Sequence, residues 1–303
     1  MRFLHFTTLL KVVSRKCLLP LICTPVFVSQ AAVNDLLPGD YYPLASGAST
    51  LATYVYDRQA EGPYAQGKLA LKGKLDNQIY ALRLGHFFEV GGKPLSLVAV
   101  IPWASASVSP RPLAMALGNS ASGMGDLRFG ATQWLFTDAA NGEYLAVSAV
   151  ASLPTGNYDA AKILNIGENR SKYTLNLGWY KTLSSTFVLE VTPEIAWYGA
   201  NNDYLNGKRL EQAHSTAFTT MLRYRASPQW HFHVSHQANA GGATTLNGTA
   251  RDDASRNERL MLGTTLTSAD KQHQIIVRVA RDTHIDNGFK TGNELLFRYL
   301  RMY

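Results

Sequence analysis

The sequence predicts an all-β fold: a closed antiparallel transmembrane β-barrel of about 12 strands, with short periplasmic turns and long extracellular loops. Three observations carry this. Apolar residues recur at every second position in run after run. Along 187–197, Phe187, Leu189, Val191, Pro193, Ile195 and Trp197 share one face, while Val188, Glu190, Thr192, Glu194 and Ala196 share the other. The connections between runs alternate in length, short then long. No run reaches the roughly 18 apolar residues of a membrane helix, a blank that a barrel also leaves because its apolar and polar residues interleave.

The first element is an export signal. Arg2, Lys11, Arg15 and Lys16 precede an apolar run from Cys17 to Val28, and Ser29-Gln30-Ala31 supplies a small-x-small cleavage site, so residues 1–31 are expected to be removed. A short membrane anchor fits less well, because Pro20 and Pro25 interrupt the run. Both cysteines, Cys17 and Cys23, leave with the signal, which excludes disulfides, thiolate nucleophiles and cysteine-ligated metals. Removal also takes four of the 29 basic and none of the 22 acidic residues, lowering the net charge from +7 to +3. That balance does not argue for a nucleic-acid partner.

Residues 32–48, with Pro38-Gly39-Asp40-Tyr41-Tyr42-Pro43, have no strand period and are expected as a periplasmic tail or a lumen plug. The barrel then occupies 49–303. Its twelve alternating runs are 49–57, 78–90, 94–107, 125–137, 143–153, 172–181, 186–198, 215–225, 229–238, 259–267, 272–282 and 293–303. Short connections fall at 91–93, 138–142, 182–185, 226–228 and 268–271, and long ones at 58–77, 108–124, 154–171, 199–214, 239–258 and 283–292. An even strand number with this rhythm puts both termini on the periplasmic side. A soluble sandwich has no need of two alternating loop lengths.

Aromatic residues gather where strands should cross the headgroup levels: Tyr54, Tyr56, Phe88, Trp103, Trp134, Phe136, Tyr144, Tyr173, Trp179, Trp197, Tyr224 and Trp230 are expected to form two girdles. The last run ends on an aromatic, Tyr303, and so resembles the signal read by the outer-membrane assembly machinery. Arg301 stands in its outward register, close enough to the end to reach the headgroups.

If the apolar faces meet lipid, the other faces line the lumen with Arg83, Arg128, Glu190, Glu194, Arg223, Arg225, His231, His233, Arg278 and Arg298. These charges of both signs suit a constriction that sorts solutes by charge. They equally suit ion pairs bracing a narrow barrel. Twelve strands fall between the filled eight-stranded barrels and the open porins of sixteen to eighteen, so any pore is expected to be narrow or gated. His231 and His233 share a face as a metal half-site would, but nothing nearby completes it, and neither a metal nor a cofactor is expected. No motif sets a serine beside a base, so no catalytic residues are expected. Asp252-Asp253 reads as a solvated loop.

The run Leu153-Pro154-Thr155-Gly156-Asn157-Tyr158, followed by Asn165-Ile166-Gly167-Glu168-Asn169 and the strand from Tyr173, resembles the bacterial family named for a phenol meta-pathway degradation protein. The opening Leu37-Pro38-Gly39-Asp40-Tyr41-Tyr42-Pro43 is similar to that family's mature N-terminus. The resemblance implies an outer-membrane β-barrel that transports, and it carries over no catalytic residues. The expected function is an outer-membrane channel for passive passage of small solutes, aromatic or hydrophobic ones among them, with outer-membrane lipid as its surroundings. A structural or adhesive barrel with a filled lumen is the alternative, and a surface hydrolase embedded in the barrel a further one. The charged lumen departs from what simple uptake of aromatics would require.

Overall fold

A computed structural model of the chain describes residues 36–303 and the backbone of Val26–Phe27. The expected export signal over 1–31, those two residues apart, lies outside the described residues, as do residues 32–35.

Twelve long strands form one closed sheet. They are β1 (Ser49–Ala65), β2 (Lys74–Val90), β3 (Lys93–Ser109), β4 (Arg128–Asp138), β5 (Glu143–Ser152), β6 (Lys172–Thr182), β7 (Phe187–Tyr198), β8 (Ser215–Arg225), β9 (Trp230–Gly241), β10 (Ser255–Thr267), β11 (His273–Ile285) and β12 (Gly288–Met302). Each pairs antiparallel with its neighbours in sequence, and β12 pairs with β1 to close the barrel. Closure leaves no unpaired edge, the condition for a sheet to stand in hydrocarbon. At the closing end Ser49 and Tyr303 exchange backbone hydrogen bonds of 3.2 and 2.9 Å, so both ends of the barrel sequence meet at the short turns. The tightest of those turns joins β2 to β3 through Gly91 and Gly92, whose φ of 59° and 72° is the left-handed pair that a two-residue hairpin demands.

Several strands run longer than hydrophobic alternation marks them, almost entirely at the long-loop end, whereas β4 begins at Arg128 and not at 125. β1 continues from the expected 57 to Ala65, and β10 begins at Ser255 rather than 259. The reason is physical: above the lipid belt both faces of a strand meet water or loop, so the ladder persists after the apolar period has stopped. Two short loop strands, Lys68–Leu69 and Ser120–Met124, extend the sheet there. Four more, Asn201–Tyr204, Lys208–Gln212, Thr244–Leu246 and Thr249–Ala250, pair into a separate small sheet. A helix of about two turns, α1 (Arg111–Leu117), lies in the β3–β4 connection. Among the described residues no helix is long and apolar enough to cross a membrane.

The outer surface carries the apolar face: Leu84, Ile101, Phe129, Leu175, Phe218, Leu262, Val277 and Phe297 all stand exposed. Eight of the twelve girdle aromatics point outward as expected. Tyr54, Tyr56, Trp134 and Tyr144 do not; they are buried inside the barrel. Trp134 shares the inward parity of Arg128, Gly130 and Thr132, and a bulge between Trp134 and Phe136 turns Phe136, two positions on, to the outer face. Tyr54 and Tyr56 alternate with Thr53 and Val55, a pattern in which an amphipathic Tyr can serve either face.

Candidate functional site

The lumen is closed from both ends by segments of the chain itself. From the short-turn end, residues 36–48 turn into the barrel. Their bend is local: the Asp40 carboxylate accepts the Leu37 N–H at 3.0 Å, and Tyr42 N–H donates to the Gly39 carbonyl at 3.0 Å. Gly39 has φ 88°, and in that conformation its N–H reaches both oxygens of Glu190 on β7, at 3.1 and 3.0 Å. Glu190 is in turn ion-paired with Arg223 on β8. The Asp40 carboxylate stands 3.7 Å from Arg83 on β2 and 3.4 Å from Arg298 on β12.

The aromatic residues of this segment pack as firmly as its charges. Trp134 Nε1 donates to the Tyr41 carbonyl at 3.0 Å, and Phe87 packs on the indole with centroids 5.9 Å apart. The Tyr42 ring meets Tyr144 edge-on at 5.2 Å. The Tyr41 ring lies so close to the wall at Gly178 on β6 that a Cβ there would come within 2.2 Å of it.

From the long-loop end, α1 and the loop over 153–171 descend together. Leu113 and Leu117 of the helix join Ile163, Leu164 and Ile166 of the loop in one apolar cluster with Leu37, Tyr56, Ile79 and Leu296. The loop is fastened by Asp126, whose carboxylate accepts the Gly156 N–H and the Glu168 N–H, each at 2.9 Å. Burial pushes the Asp126 carboxyl above its usual range, against the pull of those two donors. The loop's own backbone is close-packed: a Cβ on Gly167 would fall 2.7 Å from the Gly156 carbonyl carbon.

Between the two closures lies a cavity of about 90 Å³, bounded by Tyr41, Tyr54, Tyr56, Val98 and Val100 and by the guanidinium-bearing Arg83 and Arg128. Below the N-terminal segment a wider vestibule of about 460 Å³ opens among the short turns, with Arg223, Arg225, His231 and Arg298 on its wall.

All ten residues expected in the lumen stand on the inward register. Arg83 and Arg128 border the cavity; Arg223, Arg225, His231 and Arg298 border the vestibule. Glu190 bridges Arg223 and Gly39, while Glu194 faces Asn176 across the β6–β7 ladder. His233 is buried against Gly263, where a Cβ would lie 2.5 Å from its ring. His236, two positions beyond Val234, faces outward with Nε2 3.6 Å from Glu258. Among the described residues no group of three or more His, Cys, Asp or Glu could hold a metal ion.

Arg278 belongs to a denser structure. Glu294 on β12 accepts from Arg278 at 2.7 Å and from Arg58 Nε at 2.6 Å, and Arg259 pairs with Asp282 at 2.8 Å and reaches Glu294 at 3.5 Å. Asp282 also accepts the Thr291 N–H at 2.7 Å. Sequence reasoning missed Arg58, Arg259, Asp282 and Glu294, along with Asp40, Tyr41 and Asp126. For Arg58 and Glu294 a signal existed, because Tyr54, Tyr56, Arg58 share one parity and Glu294, Leu296, Arg298 share another.

Comparison with known proteins follows the same outline. The sequence model of the family described as "Putative MetA-pathway of phenol degradation" matches residues 57–299. Among solved structures the chain resembles the COG4313 outer membrane channel from Pseudomonas putida F1, with a TM-score of 0.83 and 28% identity over 89% of this chain and 100% of that one. It also shares the barrel fold of the β domain of the Bordetella autotransporter BrkA, with a TM-score of 0.50 and 11% identity over 86% of this chain and 100% of that one. No curated protein sequence matches it.

Proposed function

The chain belongs to this phenol-degradation family and sits in the bacterial outer membrane, and from that premise we propose that it is a channel for passive passage of small aromatic or hydrophobic molecules. The observation that carries the reading is the cavity between two closures made of coil and loop, with Tyr and Val on its sides and Arg83 and Arg128 at its edge. Coil and loop can move without breaking the barrel ladder, whereas a barrel filled by its own wall side chains could not open. In this reading residues 1–31 direct export, residues 32–48 form the lower gate, and the solute meets Arg223, Arg225 and Arg298 in the vestibule after passing Arg83. The similar Pseudomonas putida protein, an outer membrane channel by its description, supports the same direction.

A second reading has its own observation. The ion pairs linking β1, β10, β11 and β12 brace the wall, as a structural barrel with a filled lumen would require. Planar-bilayer recording separates the two. We expect small, infrequent currents from the full chain, larger steady ones from a chain lacking residues 36–48, and a change in current when phenol is added. Silence from both chains, with no solute flux into liposomes, would leave the structural reading standing.

A further inference from the structure

We propose that Asp40 and Tyr41 occupy, from within the chain, the place of a small aromatic carboxylate, and that solutes of this class open the barrel by displacing them. This rests on the channel reading and names the substrate class for it.

The first argument is the quality of the charge contacts. A carboxylate held for structure alone is gripped closely, as Glu294 is, with arginine nitrogens at 2.6 and 2.7 Å. Asp40 is placed between two guanidiniums from strands on either side of the seam, yet stands 3.7 and 3.4 Å from them. The positive site is therefore built into the wall, while its carboxylate comes from a segment of coil and makes its one close contact, 3.0 Å, with the Leu37 N–H of that same segment.

The second argument is the ring slot. The wall opposite Tyr41 is cut away at Gly178, where any side chain would collide with the ring at 2.2 Å. Trp134 and Phe87 stand beside it, the indole holding the Tyr41 carbonyl. An aromatic ring is accommodated here by the barrel, next to a site for one negative charge.

The third argument is volume. The cavity adjoining Tyr41 measures about 90 Å³, and an apolar cavity that takes up benzene measures about 150 Å³. Asp40, Arg83 and Arg298 also border the wider vestibule, so a solute can reach the charge site from there, but its ring enters the Tyr41 cavity only as the Tyr41 ring withdraws, and seating of the ring and opening are one event. A solute carrying both ring and carboxylate replaces both groups of the segment; one lacking the charge leaves Asp40 in place between Arg83 and Arg298.

The test is titration of the full chain in micelles with benzoate, benzyl alcohol and acetate, followed by calorimetry. Benzoate is expected to bind at least tenfold more tightly than either of the others. Asp40→Asn, a change in the N-terminal segment and not in a barrel strand, should tighten benzoate about tenfold and leave benzyl alcohol unchanged. Arg83→Gln should weaken benzoate at least tenfold. Equal affinity for benzoate and benzyl alcohol, or an Asp40→Asn variant indistinguishable from the parent, would overturn the proposal. In that event currents altered by benzyl alcohol would keep the channel reading alive, whereas silent bilayers from the full chain and from the chain lacking residues 36–48 would remove that reading as well.

Discussion

Glu294 takes contacts from three arginines on three strands, and with Asp282 it is the counter-charge for all of them. Glu294→Gln would leave buried guanidinium charge underbalanced, a change that in buried ion pairs costs about 3–5 kcal/mol. The expected outcome is a clear fall in the urea midpoint of the refolded barrel. A midpoint shifted by less than a tenth would mean that water reaches the cluster freely. Gly178→Ala acts differently, since its Cβ would strike the Tyr41 ring and not the backbone of a neighbouring strand. The variant should fold with unchanged heat-dependent migration but conduct more, because the lower closure loses its seat. At this scale the sequence was half legible. Parity placed Arg83, Arg223 and Arg298 inward, since a charge has only one comfortable face in a membrane strand. The same parity could not sort Tyr54 or Tyr56, whose rings suit either lipid or lumen, and nothing local marks that Gly178 exists for a ring 137 residues earlier in the chain.

Among the elements, the loop over 153–171 is fixed by one carboxylate. Asp126→Ala removes the acceptor for both Gly156 and Glu168, and each orphaned buried N–H costs about 1–3 kcal/mol. The barrel should survive this loss while the loop opens, so external protease should nick the variant within 153–171 on intact cells where the parent resists. Resistance equal to the parent's would show that the apolar cluster of Leu113, Leu117, Leu164 and Ile166 holds the loop without it. Element existence was readable from alternation and from the two loop lengths. Element length was not, because β1, β2, β10, β11 and β12 extend past the lipid belt, where no apolar period remains to be counted. The path of residues 36–48 was open for a related reason: a coil without period carries no signal of which surface it will cover, and its partners Glu190, Trp134 and Arg298 lie on three distant strands.

For the whole molecule, stability depends on a continuous apolar exterior. Val277 stands outward on β11 between Ile275 and Val279, near the middle of that belt. Val277→Arg should destabilise the folded barrel in liposomes by roughly 2–4 kcal/mol, whereas Thr283→Arg, higher on the same strand, should cost roughly 0–1 kcal/mol. Equal losses at both sites would contradict this placement of the bilayer.

The ion pair between Arg58 and Glu294 joins the first and last strands of the barrel, in direct register across the seam. A slip of one residue there would turn one of the two charges to the outer face and leave the other buried without its partner. A slip of two would keep both inside but draw them apart by more than 6 Å. The seam thus works as a lock with a single key position: a barrel closed in the wrong alignment is penalised by its own chemistry, and proofreading of closure is written into the same two strands that perform it.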